Sequence, residues 1–338
     1  MDADKKIEVS IVVPFYNPGV SILNLLDSIF KLDYPIDKFE LILLVDDGST
    51  DDSIGLVKEY LKSLKNKYQL QLIRLENNLG PAAARNRGIW AARGNIIAFT
   101  DADCIVDREW LKYITVSFMK PNIAGVFGKI ITDKRNLIFP LEVAPIGHKY
   151  ITANCAYRRE ILLEIGGFDE RFKQPFRENT DLALEIIKKG YSIIFEEKAI
   201  VYHPSRKNNL KRIVKEAFLH QYDVLLYKKH SKLAIKAMET SWISKPVLGP
   251  FSILFLGLIV MFVISFFISF KKFIILSVFF FLFLFLFFVF YGYRFVILGN
   301  FYLPFGVKLK VFIASMVYLF SLLVGRIYGS LKFKAILI

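Results

Sequence analysis

Asp101 and Asp103 stand one residue apart, directly after the apolar run 96–100. Such a run predicts a buried β-strand, so the two carboxylates are expected where that strand reaches the surface. Paired carboxylates suit Mg²⁺ or Mn²⁺, and these ions in turn bridge phosphate oxygens. Because an isolated Asp-x-Asp pair is more often a solvated turn, the metal site depends on which other residues accompany it.

Two earlier apolar runs also end in polar side chains. The residues that follow these runs include Pro14, Tyr16, Asp46 and Asp47. Because ligands of open α/β sheets bind at the carboxyl ends of strands, all three clusters are expected at one edge of a sheet. The alternative for the two aspartates before Gly48 is a turn followed by a helix cap.

Apolar runs alternate with helical patterns along the first part of the chain. Strands are predicted at 8–13, 40–45, 69–75, 95–100, 124–131 and 151–157, with a last strand ending at Tyr202. Helices are predicted at 20–31, 51–65, 80–93 and 177–189. Continuous apolar strands separated by helices predict an α/β fold, a mostly parallel sheet with helices on both faces.

The chain carries a formal net charge of +14, and the positive charge is unevenly placed. Residues 246–338 contain eight Lys and Arg and no Asp or Glu, whereas the preceding part is only mildly basic. A nucleic-acid-binding protein would present its charge as a stripe on a folded surface, but here much of it flanks apolar segments. Nucleic acid is therefore not an expected partner.

Six short motifs in a fixed order carry a resemblance to a known family. The motifs occupy residues 13–17, 45–49, 80–86, 100–103, 166–169 and 177–181. Over about residues 7–205 the chain resembles the family 2 glycosyltransferases, and the ordered set is far more specific than any one motif. The resemblance implies a GT-A fold and transfer of a sugar, with inversion, from a nucleotide-diphosphate donor.

The same resemblance assigns roles to individual residues. It implies a nucleotide-sugar site formed by Pro14, Tyr16, Asp46, Asp47, Arg85 and Asp101. It also implies that Asp103 ligates Mg²⁺ or Mn²⁺, with His203 as a second metal contact. His203 could instead be a structural histidine at a strand end, and Arg85 could belong to a solvated helix face. A cation at Asp103 would offset the charge on the departing diphosphate.

The catalytic base is where this sequence departs from the family. The usual Glu-Asp pair before Thr-Asp is replaced by Glu178 and Asn179, and an amide is a poor proton acceptor. Either Glu178 or Asp181 takes over as base, or the acceptor is a phosphate that needs none, or the enzyme is impaired. Among these alternatives we favour Glu178.

The carboxyl-terminal part predicts a membrane region. Uncharged apolar stretches at 247–270 and 273–293 are long enough to cross a bilayer, and a third candidate spans 307–326. The predicted domains are a catalytic domain at 1–205, amphipathic basic linker helices at 206–245 and membrane helices at 246–338. The linker helices either lie on the bilayer surface or pack on the catalytic domain.

These observations predict a membrane-anchored glycosyltransferase with a cytosolic catalytic domain in the cell membrane. A charged amino terminus without a signal-peptide core, and only two cysteines, favour the cytosol. The expected partners are a nucleotide-diphosphate sugar and a lipid-linked or glycan acceptor, in glycan biosynthesis. The alternatives are a polyprenyl-phosphate sugar synthase and a non-catalytic membrane scaffold or transporter subunit with a degenerate nucleotide-binding head.

Overall fold

A computed structural model describes residues 8–63, 70–132, 150–204, 209–231, 233–234, 317–318, 321–322 and 324–335. These residues form two compact units, the first reaching residue 204 and the second beginning at residue 209. The predicted membrane spans at 247–270 and 273–293 lie outside the described residues, as does most of the span predicted at 307–326.

The first unit is built on one eight-stranded sheet. Its strands are β1 Val9–Phe15, β2 Phe39–Asp46, β3 Leu70–Arg74, β4 Ile96–Phe99, β5 Ile105–Val106, β6 Ile123–Ile131, β7 Cys155–Arg158 and β8 Ser192–Tyr202. Their spatial order is β3-β2-β1-β4-β7-β6-β8-β5. Only β5 and β7 pair antiparallel with their neighbours among these strands, so the sheet is mostly parallel.

Helices cover both faces of this sheet. They are α1 Ser21–Ile29, α2 Ser53–Ser63, α3 Pro81–Ala91, α4 Trp110–Ser117, α5 Arg159–Glu164 and α6 Glu178–Lys188. Successive strand side chains point to opposite faces, so Ile11 and Val13 join the core under α1, α2 and α4. Val12 joins the core under α3, α5 and α6. The predicted α/β fold is therefore confirmed.

The structure differs from the predicted elements around residues 151–157. The predicted strand begins with a 3₁₀ turn, Thr152–Asn154, and only then continues as β7. β5, α4 and α5 were not predicted from the sequence, because two to eight residues are too few for a clear periodicity.

The second unit contains two helices in the predicted linker region, α7 Leu210–Phe218 and α8 Gln221–His230, and helical residues 324–333. Asn209 caps α7 by accepting a hydrogen bond from the Arg212 backbone N–H at 2.9 Å. Asp223 of α8 is fully buried, and its carboxylate accepts a hydrogen bond from Arg326 at 2.6 Å. No helix within the described segments combines the length and the apolar character needed to cross a membrane.

A buried amide, that of Asn154, joins three elements of the first unit. Its side-chain NH₂ donates to the carbonyls of Lys129 and Ala199, at 2.8 and 2.9 Å. These carbonyls lie where the β6–β8 register shifts, so the ladder itself is irregular there. The Asn154 oxygen accepts a hydrogen bond from the Trp110 indole N–H at 2.9 Å.

We expect Asn154→Ala to lower the free energy of unfolding by about 3 kcal/mol, because three buried polar groups lose their partner at once. Urea unfolding of the full chain, followed by circular dichroism, measures the change. The matched control is Asn122→Ala, whose side chain is exposed. Equal stability of the two variants would contradict the structural role of the Asn154 amide.

Candidate functional site

The carboxyl ends of β1, β2 and β4 meet at one edge of the sheet. The backbone register places Pro14 opposite Val45, and Val12 opposite Phe99 at the end of β4. The loop after β1 also carries Tyr16, whose side chain is exposed. The three polar clusters predicted from the sequence therefore lie at the same edge, as expected for a ligand site.

Two buried aspartates hold the loops at this edge. Asp46 accepts a hydrogen bond from the Ser49 backbone N–H at 2.8 Å, which closes the predicted turn. Asp47 accepts hydrogen bonds from the backbone N–H groups of Leu79 and Gly80, at 2.7 and 2.9 Å. Burial raises the pKa of Asp47, and these two donors oppose that rise. Both carboxylates therefore fix the backbone of the loops at this edge.

Gly80 lies between the backbone groups that Asp47 binds and the start of α3, and this position requires a glycine. Its φ of +95° is in the left-handed region, and a Cβ there would lie 2.6 Å from the Lys173 carbonyl oxygen. Only glycine fits this conformation and this close approach. The tight turn starts α3 at Pro81 and so directs the first turns of that helix into the site.

Arg85 of α3 bridges two carboxylates from distant parts of the chain. One terminal nitrogen donates to Asp101 at 3.1 Å and the other to Glu178 at 3.2 Å. The guanidinium also lies over the ring of Phe168, 5.7 Å from its centroid. Because the Arg85 side chain is buried, it does not belong to a solvated helix face.

Glu178 begins α6 directly after Arg177, whose φ of +73° turns the chain into the helix. Its Oε1 is paired with Arg85, while Oε2 is buried without a hydrogen-bond partner among the described residues. Burial raises the pKa of Glu178, and the neighbouring Arg85 charge opposes the rise. A fixed carboxylate with a raised pKa and one unused oxygen is suited to accept a proton.

Asp181 lies in the first turn of the same helix and is also buried. Asn179, which replaces the usual acid, is half-buried and accepts a hydrogen bond from the backbone N–H of Thr180 at 2.7 Å. Both candidate bases are therefore beside the Asn179 position, and only Glu178 has a described contact with Arg85.

Asp103, two residues after Asp101, lies next to His203. The antiparallel pairing of β5 with β8 places Ile105 opposite Tyr202, so the residues just outside this short ladder become neighbours. The His203 Nε2 atom lies 3.6 Å from Asp103 Oδ1. The Nδ1 atom lies 3.0 Å from the Pro204 carbonyl, to which an N–H at that position donates.

With the N–H at Nδ1, the Nε2 lone pair of His203 would face the Asp103 carboxylate. Two acceptors at that distance repel unless a proton or a cation lies between them, so the pair fits a divalent ion. Cys104 is within the same cluster, but burial and the charges of Asp101 and Asp103 raise its pKa, which keeps it a thiol. The Asp103 oxygen suits Mg²⁺ or Mn²⁺, and the His203 nitrogen favours Mn²⁺ of these two ions.

Phe168 and Asn86 support the Arg85 site; both lie in the motifs at 166–169 and 80–86, but no role was predicted for them. The Asn86 amide accepts a hydrogen bond from the Phe168 N–H at 2.8 Å and donates to its carbonyl at 2.9 Å. The preceding glycines, Gly166 and Gly167, both have positive φ and form a turn, as paired glycines often do. That turn was the available signal for a loop reaching back to α3.

Comparison with known proteins finds a family match in the first part of the chain. Residues 10–139 match the family model described as glycosyl transferase family 2. The predicted resemblance is thus confirmed over a segment that contains the ends of β1, β2 and β4 and the residues Arg85, Asp101 and Asp103.

Individual relatives agree with this match. The chain is 38% identical over 104 residues to the poly(ribitol-phosphate) β-N-acetylglucosaminyltransferase TarS of Staphylococcus aureus, covering 30% of this chain and 17% of TarS. It is 25% identical over 210 residues to the glycosyltransferase AglE of Haloferax volcanii, covering 59% of this chain and 67% of AglE. The chain thus spans about one sixth of the length of TarS.

A solved structure shares the fold. The mannosyltransferase of Pyrobaculum calidifontis, crystallised with GDP-Man and Mn²⁺, superposes with a TM-score of 0.58 at 18% identity. The similarity covers 97% of this chain and 89% of that chain. At this identity it supports the GT-A-like glycosyltransferase fold and nothing finer.

We expect Glu178→Gln to reduce turnover by about 10²- to 10⁴-fold, because a positioned proton acceptor is lost while the side-chain shape is kept. The measurement is steady-state kinetics on a hydroxyl acceptor, with donor affinity measured separately and expected to change little. In the wild type, kcat/KM should fall as the pH drops through the raised pKa of Glu178, because the base works only when deprotonated.

The matched comparison for this prediction is Asp181→Asn, which removes the other candidate carboxylate. Wild-type turnover for Glu178→Gln together with a large loss for Asp181→Asn would transfer the base role to Asp181. An unchanged rate for both variants on a phosphate acceptor would show that no protein base is needed.

Proposed function

We propose that this protein is an inverting glycosyltransferase that takes a sugar from a nucleotide-diphosphate donor and uses Mg²⁺ or Mn²⁺. The observation that carries the proposal is the meeting of Asp103 with His203 beside the Arg85–Asp101 pair, at the carboxyl edge of the sheet. A departing diphosphate gains negative charge, which a cation held beside a fixed loop would stabilise.

Each part of this edge has a role in the proposal. Pro14 and Tyr16 line the nucleoside site, and Asp46 and Asp47 hold the loops that surround it. Asp101, oriented by Arg85, faces the ribose or sugar of the donor. A divalent ion held by Asp103 and His203 would stabilise the negative charge on the leaving diphosphate.

The acceptor hydroxyl gives its proton to Glu178 in this mechanism. Arg85 fixes one oxygen of that carboxylate, and the other, which is buried, receives the proton once the bound acceptor hydroxyl reaches it. Burial raises the pKa of Glu178, which makes it a stronger base than an exposed glutamate. A carboxylate on the face opposite the leaving group favours a single displacement, which inverts the anomeric centre.

A second candidate is a synthase that transfers the sugar to a polyprenyl phosphate. The observation that favours it is the replacement of the usual acid by Asn179, next to a Glu178 that lies almost completely out of solvent. A phosphate nucleophile arrives deprotonated and needs no base.

A non-catalytic scaffold is the third alternative, and the buried charges weigh against it. Arg85 and Glu178 are both removed from solvent, and burying an ion pair seldom stabilises a fold relative to apolar residues of similar size. A catalytic role therefore explains the buried Arg85–Glu178 pair better than a role in stabilising the fold does.

We further propose that the chain is anchored in the cell membrane with its catalytic domain on the cytosolic side. The support is the composition of residues 246–338, in which long apolar stretches are free of acidic residues. An anchored enzyme of this kind would act on a lipid-linked acceptor held at the same membrane surface.

We expect Asp103→Ala and His203→Gln each to weaken Mn²⁺-dependent binding of a nucleoside diphosphate by about tenfold or more. Losing even a hydrogen-bond partner of a metal ligand typically lowers metal affinity on this scale. Isothermal titration calorimetry with UDP and GDP, with and without Mn²⁺, measures it. Cys104→Ala is the matched control and should bind as the wild type does, because the buried thiol is not a ligand.

Metal-dependent affinity that survives both Asp103→Ala and His203→Gln would place the cation elsewhere. A loss in Cys104→Ala equal to the loss in the other two variants would instead show a structural effect on the whole cluster.

Membrane attachment makes a separate prediction. The full chain should remain in the membrane fraction after washing with high salt and with alkaline carbonate, because hydrocarbon insertion is not screened by ions. Immunoblotting of the fractions measures it. Release by salt alone would mean that the basic segments adsorb electrostatically and that the apolar stretches are not inserted.

A further inference from the structure

Three aromatic rings cluster on the sheet of the first unit without a role in the donor site. The ring centroids of Phe127 on β6 and Phe195 on β8 lie 5.2 Å apart, and those of Phe127 and Tyr150 lie 5.5 Å apart. We call Phe127, Tyr150 and Phe195 the aromatic platform. Tyr150 has a φ of +69°, so its backbone is held in a strained conformation beside the other rings.

The backbone register connects the platform to the candidate active site. Phe127 pairs with Phe195 on one side and with Cys155 on the other, and Cys155 pairs with Phe99. These residues therefore form one row across the sheet with side chains on the same face. Phe99 is the last residue of β4, directly before the loop that carries Asp101.

Ring contacts continue the same row to the ion pairs of the site. The Phe99 ring packs edge-on against Phe168 at 5.6 Å, and Phe168 lies under the guanidinium of Arg85. Cys155 is the strand neighbour of Phe127. Burial raises the pKa of its thiol, the charge of Arg85 lowers it, and the charge of Glu178 raises it. The platform therefore lies on the sheet face that α6 and Phe168 cover, in the same row as Phe99 and Cys155.

The platform is open on one side. Phe195 is 53% exposed and Phe127 and Tyr150 are half-buried, which is unusual for a cluster of large aromatic residues. Its rim is charged, because Lys129 on β6 pairs with Glu197 on β8 at 3.3 Å.

We propose that the aromatic platform binds a sugar ring of the acceptor and places it beside Glu178. This inference rests on the proposed glycosyltransferase function and adds an acceptor subsite to it. A sugar ring has an apolar face, which covers the aromatic rings, and a polar edge, which reaches the Lys129–Glu197 rim and the Tyr150 hydroxyl. A prenyl chain would cover the same rings but would also remove the charged rim from water without replacing its hydrogen bonds.

Substitutions of Phe195 test the proposal, because an exposed side chain can be changed without unfolding the sheet. Phe195→Leu keeps an apolar side chain but removes the ring, and Phe195→Trp restores a ring. The matched control is Trp90→Ala, which removes another half-exposed aromatic residue that stacks only on Arg87 in its described ring contacts.

The probes are the methyl glycosides of glucose, mannose, galactose and N-acetylglucosamine, with farnesyl phosphate as the hydrocarbon probe. Binding to the full chain in detergent micelles is followed by saturation-transfer NMR in the presence of Mg²⁺ and a nucleoside diphosphate. We expect at least one glycoside to bind, to lose about fivefold or more in affinity in Phe195→Leu, and to recover in Phe195→Trp. Trp90→Ala should leave the affinity unchanged.

Three results would contradict the proposal. No glycoside binding to the wild type, or equal binding to wild type and Phe195→Leu, overturns the platform, and so does a loss confined to farnesyl phosphate. Binding of the nucleoside diphosphate, measured in the same samples, reports on the donor site alone. Its absence would contradict the proposed function, whereas its presence without a Phe195 effect would contradict only the acceptor subsite.

Discussion

When the guanidinium of Arg85 is buried, each of its two terminal nitrogens needs a hydrogen-bond acceptor, and this requirement organises the first unit. The two acceptors are Asp101, at the end of β4, and Glu178, at the start of α6. Removing either would leave buried charge uncompensated, at a typical cost of about 3–5 kcal/mol. The Gly80 turn, fixed by Asp47, sets the position of α3 and therefore of Arg85. Backbone clamps, ion pairs and the candidate base thus depend on one another.

The proposed cation site depends on a much smaller element. β5 has two residues, yet its antiparallel pairing with β8 brings His203 to Asp103 from a hundred residues away. The Asp101 carboxylate, held by Arg85, lies two residues before Asp103, so the ion pair and the cation site share one loop. A loop held at both of its acids keeps its geometry when charge develops nearby, which is the condition for electrostatic catalysis.

Much of this arrangement could be predicted from local sequence. The strands β1 to β4 and the helices α1 to α3 were predicted within about two residues of their bounds, because their apolar runs are long and end at clear turn or cap residues. The same runs located the polar clusters at one edge, since parallel strands end together. What these residues bind and catalyse remains a prediction.

The parts that sequence reasoning missed are set by contacts between distant residues. Nothing local shows that Arg85 pairs with Glu178, that Asn86 binds the backbone of Phe168, or that Phe127 and Phe195 become strand neighbours. β5 is too short for a periodicity, and Asn154 resembles any turn asparagine until its three buried partners are known. These features arise from tertiary pairing, which a single sequence does not encode in its spacing.

We propose that Asp103 and His203 hold a divalent cation against the phosphates of a nucleotide donor. Pulsed electron paramagnetic resonance of the full chain with Mn²⁺ and a nucleoside diphosphate tests it directly, because the electron spin couples to nuclei in its ligand sphere. We expect a ³¹P coupling from the diphosphate together with a ¹⁴N coupling from histidine that disappears in His203→Gln. A ³¹P coupling with no histidine nitrogen in the wild type, or a nitrogen coupling that survives in His203→Gln, would contradict it.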